Sequence, residues 1–152
     1  MTQHRQSLRS MLVGILLTGV TLTSRADACR CLEPSSAAAA YRSADAAVIG
    51  KVLAVEPGTG TDESQAIIEI EEAWKSEMAK TVRISTGTDC AFRFAKGGSY
   101  LLFLLRDAAG RYSTERCMGN REIGKATSFL TWLRKNGEAG KVTALPRSCQ
   151  RD

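Results

Sequence analysis

Histidine is nearly missing from this chain: its 152 residues include one, His4. Without imidazole there is no Ser-His-Asp or Cys-His catalysis and no histidine-containing zinc site. His4 also falls in a segment that export would remove. The Cys-x-x-Cys pair of thiol redox enzymes is absent as well. The apolar run Met11–Leu22 has 12 residues, whereas a spanning helix needs about 20, so no membrane span is expected. Nor is there an excess of charge large enough to imply a nucleic-acid partner. Beyond Ala28 there remain 18 Lys and Arg against 15 Asp and Glu, spread evenly.

What is present begins with an export signal. Arg5 and Arg9 precede the apolar run, and Ala26-Asp27-Ala28 follows it as a small-x-small cleavage site. Residues 1–28 are therefore expected to be a signal peptide. The protein is expected to be secreted or otherwise extracytoplasmic, in a periplasm or outside the cell. All five cysteines (Cys29, Cys31, Cys90, Cys117 and Cys149) follow that site, and in an oxidising compartment such cysteines are usually bridged. The odd number leaves one over. Cleavage directly before Cys29 also leaves open a lipid anchor on that residue, although a lipoprotein site carries Leu where this chain has Ala26.

Beyond the signal, Pro34-Ser35-Ser36 ahead of Ala37–Tyr41 reads as a short helix with Ser as its N-cap. Ala46–Val55 is a β-branched strand broken by Gly50, which marks a bulge or bend. Pro57–Asp62 is a turn-rich loop. Two half-buried strands follow by their alternation: Ala66, Ile68 and Ile70 up to Trp74, then Val82, Ile84 and Thr86. Ser99–Leu105 is continuously apolar and reads as a strand buried on both faces. Asp107–Gly110 turns the chain, and Arg111–Cys117 is expected as the returning strand. Asn120 is expected to cap a last helix running to about Arg134, with Ile123, Ala126, Thr127, Leu130 and Leu133 on one face. Residues 137–152 read as a loose polar tail. The expected architecture is mainly β: a five-stranded Greek-key barrel of the OB type, with a short helix before it and a helix after it, over 29–136.

An opening Cys29-Arg30-Cys31-Leu32-Glu33-Pro34 directly after a cleavage site resembles the amino-terminal domain of the tissue inhibitors of metalloproteinases (TIMPs) and the wider netrin-like module. Ala47–Val52 resembles the first strand of that family. Cys90-Ala-Phe-Arg-Phe with Gly98–Phe103 resembles its central region, and Cys117-Met-Gly-Asn120 its later cysteine and Asn. The resemblance implies an OB-type barrel, here a single-domain member, and the pairings Cys29–Cys90 and Cys31–Cys117. Cys149 has no implied partner. This chain departs from the family in having fewer cysteines. Glu33 stands where the vertebrate inhibitors have Pro, and Arg30 where they have a small Thr or Ser.

The resemblance also implies a mechanism. The free α-amine and carbonyl oxygen of Cys29 would chelate the zinc of a target metalloendopeptidase, taking the open position that catalytic zinc keeps for water. Arg30, Cys31 and Leu32, with Thr88 and Asp89 of the loop before Cys90, would form the inhibitory ridge. Arg30 would enter the specificity pocket, where an unpaired guanidinium is costly in apolar surroundings and suits an acidic or open pocket. The alternative is a non-inhibitory netrin-like binding module or a lipoprotein, in which Cys29 only staples the chain. No enzyme is expected: Glu69, Glu71 and Glu72 point to both faces of one strand and read as solvated. No cofactor and no intrinsic metal is expected.

Overall fold

The computed structural model describes residues 31–58, 63–87 and 90–144. In chain order the elements are α1 (Ala37–Ser43), β1 (Ala46–Pro57), β2 (Ser64–Trp74), β3 (Met78–Ala79), β4 (Thr81–Thr86), β5 (Ser99–Arg106), β6 (Tyr112–Ser113), β7 (Arg121–Glu122), α2 (Thr127–Asn136) and β8 (Val142–Thr143). Two 3-10 turns, Arg116–Met118 and Ile123–Lys125, flank β7.

The barrel closes because β1 has partners on both edges. It pairs antiparallel with β2 along its length, and residues 46–51 also pair with β5. β4 pairs with β2 and runs parallel to β6, and β6 returns to β5. The ring β1-β2-β4-β6-β5-β1 is a closed five-stranded barrel of the OB type. Register shifts at Ile49/Gly50 and Val52/Ala54 bend β1 enough to serve both neighbours. Gly50 is required there by close approach. A Cβ at this position would stand 2.4 Å from Cγ2 of the fully buried Ile68 and 3.0 Å from the Glu69 carbonyl oxygen.

Alternation divides the core into two layers. Val48, Val52, Ile68, Ile70, Leu102 and Leu104 fill the barrel. Ala47, Ile49, Leu101 and Phe103 point outward and are covered by α1 and α2. That second layer is why β5 reads as an unbroken apolar run. α1 starts at the Ser36 N-cap, whose hydroxyl accepts from the Ala39 amide. Its alanines do more than favour helix: Ala37 and Ala40 are buried in the outer layer, and Tyr41 meets Trp132 of α2 edge to face at 5.6 Å.

Three expectations are corrected. The last helix begins at Thr127, and Asn120 does not cap it. Phe129 faces the core and Thr127 faces solvent. The returning strand shrinks to Tyr112–Ser113, because Arg116–Met118 turns into a 3-10 helix. The expected loose tail starts with packed chain. Lys75 and Gly140 amides donate to the Glu138 and Ala73 carbonyls at 2.9 and 2.8 Å, and β8 lies parallel to β3. Cys149 and the rest of 145–152 lie outside the described residues.

Asn120 has a different task. β5 pairs with β6 at Leu105–Arg106 and with β7 at Tyr100–Leu101, leaving Phe103 between the two short ladders. Asn120 Oδ1 accepts from the Phe103 amide at 2.8 Å, and the buried Thr114 hydroxyl donates to the Phe103 carbonyl at 2.7 Å. Asn120 Nδ2 in turn donates to Thr114 Oγ1 and to the Glu115 carbonyl. Side chains here stand in for a missing piece of strand. Asn120→Leu strands the Phe103 N–H, at a cost of about 1–3 kcal/mol for the unsatisfied group. Thermal unfolding of N120L is expected to fall by on the order of 10 °C. An unchanged midpoint would show that the network contributes nothing net.

Candidate functional site

Of the expected ridge, Cys31 and Leu32 are among the described residues, and Cys31 belongs to a cluster of sulfurs. Cys31 and Cys117 form a disulfide with Cα atoms 5.0 Å apart, closing 86 residues of chain. Cys117 is presented by the 3-10 turn, and the turn ends on Gly119 at φ +89°, a left-handed conformation that glycine adopts without strain. The Cys90 sulfur belongs to the same cluster, within 4.8 Å of the other two, and is itself disulfide-bonded. The Cys29–Cys90 pairing lies partly outside the described residues, as do Cys29, Arg30, Thr88 and Asp89 themselves.

The segment around Cys90 is held from both sides. The Arg116 amide donates to the Cys90 carbonyl at 2.8 Å, and Ala91 bridges to Glu115. The Phe92 amide donates to the hydroxyl of Thr86, which is almost fully buried at the end of β4. Phe92, Phe94 and Tyr100 then pack edge to face with centroids 5.1–6.0 Å apart. Leu32, immediately after the staple, is 95% exposed, the most exposed large apolar side chain described.

Chemically, the sulfur cluster is closed: bridged sulfurs offer no thiolate for nucleophilic attack or metal binding. It is also the group of three His, Cys, Asp or Glu ligand atoms brought together among the described residues. Two of the three glutamates of β2 are engaged at the surface, Glu69 with Lys80 at 3.4 Å and Glu72 with Arg134 at 2.6 Å. The Glu72 carboxylate beside Arg134 raises that guanidinium's pKa further, by hydrogen bond first and charge second.

One feature escaped the sequence reading. Next to the staple, Glu33, Arg93, Arg116, Arg121, Glu122 and Lys125 line a groove of about 390 Å³. These residues come from four separate stretches of chain, so no local pattern marks them. Glu122 holds Lys125 at 2.9 Å and raises its pKa through that hydrogen bond, keeping it cationic.

The closed barrel with its disulfide is thus an OB-type domain suited to an oxidising compartment. No helix among the described residues is long and apolar enough to cross a membrane. No protein-family model matches the chain, and no curated protein matches it either.

Proposed function

We propose that this protein is exported, cleaved after Ala28, and acts as a TIMP-like inhibitor of zinc metalloendopeptidases through the α-amine and carbonyl oxygen of Cys29. The observation that carries the reading is the sulfur cluster of Cys31, Cys90 and Cys117 on an OB-type barrel. Chain reach alone keeps an amine two residues before Cys31 within about 7 Å of that staple. An amine so tethered loses little freedom on docking. Its pKa near 8 leaves part of it neutral at physiological pH, and zinc favours that form. Exposed Leu32 extends the contact surface past the staple. Arg30 selects targets whose specificity pocket is acidic or open. The protein supplies no catalytic group of its own in this reading and is not an enzyme.

The test starts from the protein as its host exports it. Intact mass should correspond to Cys29–Asp152 with an unmodified amine and bridged cysteines. That material should inhibit at least one member of a broad panel of secreted zinc metalloendopeptidases at one-to-one stoichiometry. A mass carrying acyl chains, or a start elsewhere, removes the amine from the mechanism. A correct terminus with no inhibition across the panel favours the non-inhibitory binding module.

A further inference from the structure

The groove beside the staple has the makings of a second recognition element. Four cations, Arg93, Arg116, Arg121 and Lys125, meet two carboxylates there, Glu33 and Glu122. Arg121 is the best defined of the four. Its side chain is only 28% exposed, and its guanidinium carbon sits 3.9 Å from the Phe129 ring centroid. That packing fixes where the guanidinium is and leaves its edges for acceptors. Those edges are poorly served. Nη2 stands 4.0 Å from the Glu33 carboxylate, at the limit of an ion pair, and Glu33 itself is 62% exposed. Nε is buried and has no hydrogen-bond partner among the described residues. A guanidinium held in place, lining the groove among further cations with its terminal Nη2 only loosely paired, is matched by a planar carboxylate, which can accept from its two terminal nitrogens.

We propose that this groove is a carboxylate-binding subsite that takes an acidic peptide segment, with Arg121 as the forked donor and Arg93 and Lys125 holding adjacent negative charges. The assignment rests on the reading of the amino-terminal face as a docking surface, because the groove opens at Glu33, two residues past Cys31. The segment then belongs to the rim of the docked partner. An acidic peptide fits better than a polyanion for two reasons. Glu33 and Glu122 would repel a dense row of phosphates or sulfates, and the excess beyond Ala28, 18 Lys and Arg against 15 Asp and Glu, is too small to hold one.

The experiment needs no protease. The exported protein, labelled with nitrogen-15, is titrated with N-acetyl-tetraglutamate amide while the Arg121 Nε–Hε signal and the amides of 120–125 are followed. A saturable shift of that side-chain signal is expected. Arg93→Ala and Lys125→Ala should each weaken binding roughly threefold, as rim charges do. Arg121→Gln should abolish saturation. Since R121Q also loses its packing on Phe129, the decisive variant is Glu33→Gln. Removing the competing carboxylate should tighten peptide binding about threefold, an effect no loss of fold produces. A shift that never saturates, an E33Q affinity equal to or weaker than that of the parent, or tighter binding of a sulfated hexasaccharide than of the peptide each overturns the subsite. If the peptide binds as expected in a protein that inhibits nothing, the inhibitor reading fails alone. If inhibition is real and the groove is silent, the subsite fails alone.

Discussion

Inserting one Ala between Ala28 and Cys29 is expected to abolish metalloendopeptidase inhibition while leaving the fold intact. The insertion moves the terminal amine by about 3.5 Å, one residue's reach. Zinc–nitrogen bonds are about 2.0–2.1 Å long and tolerate little displacement. The amine of the added Ala would have to find the metal without the staple's support, and the Cys29 nitrogen would become an amide with no lone pair to give. A loss of at least 100-fold in apparent affinity is expected, equivalent to about 2.7 kcal/mol or more. Nothing in the barrel changes. Val48, Ile68 and Leu102 stay in place, and Cys31 still reaches Cys117. Thermal unfolding should therefore coincide with that of the parent, and intact mass must show that processing left the extra Ala. Equal inhibition by extended and parent proteins would reject chelation even if inhibition itself is real. Arg30→Thr provides the companion measurement: selectivity should shift towards proteases with apolar pockets, where the guanidinium is expensive to bury.

Removing the staple is expected to have the largest effect on stability. The Cys31–Cys117 bridge closes 86 residues, and loop-closure entropy for that length corresponds to about 4.5 kcal/mol. A domain of this size has about 5–15 kcal/mol in total. The double variant C31S/C117S should thus unfold on the order of 15 °C lower, or fail to accumulate at all. The double replacement avoids leaving one thiol beside the Cys90 disulfide, which lies within reach of exchange. Inhibition should fall further than stability alone requires, since the residues before position 31 lose their anchor. If C31S/C117S remains folded and inhibits as the parent does, Cys31 holds nothing the function needs, and the observation supporting the proposed mechanism is lost. A small change in midpoint with normal function would point instead to the packing of α1 and Pro34 against Gly119 as the true anchor.

How much of this was legible beforehand depended on how local each cause is. Periodicity in a strand reports burial directly, so Ala66, Ile68 and Ile70 announced one inward face. The unbroken run of β5 announced two buried faces, and a second layer of helices indeed covers its outer side. Ser36 capping α1 is decided within a few residues of itself and read correctly; Gly50 marked the bend of β1 correctly, although the close approach that requires it comes from Ile68 and Glu69 on β2. Asn120 did not read correctly. An Asn before an apolar periodic segment looks like a cap, but β5 had an unpaired amide at Phe103, and a partner 17 residues away in the chain outbids a local one. The packing of 137–144 escaped for a similar reason. Short polar chain carries no hydrophobic period, and what holds it is backbone hydrogen bonds to the β2–β3 connection, beyond the reach of any local pattern. The groove around Arg121 is the extreme case, assembled from residues whose neighbours along the chain say nothing of one another. Composition, strand faces and the barrel class were determined by the sequence itself, because short-range sterics and alternation encode them. Which sulfurs and cations meet beside the barrel was decided only by tertiary structure, because chain closure brings together what sequence distance keeps apart.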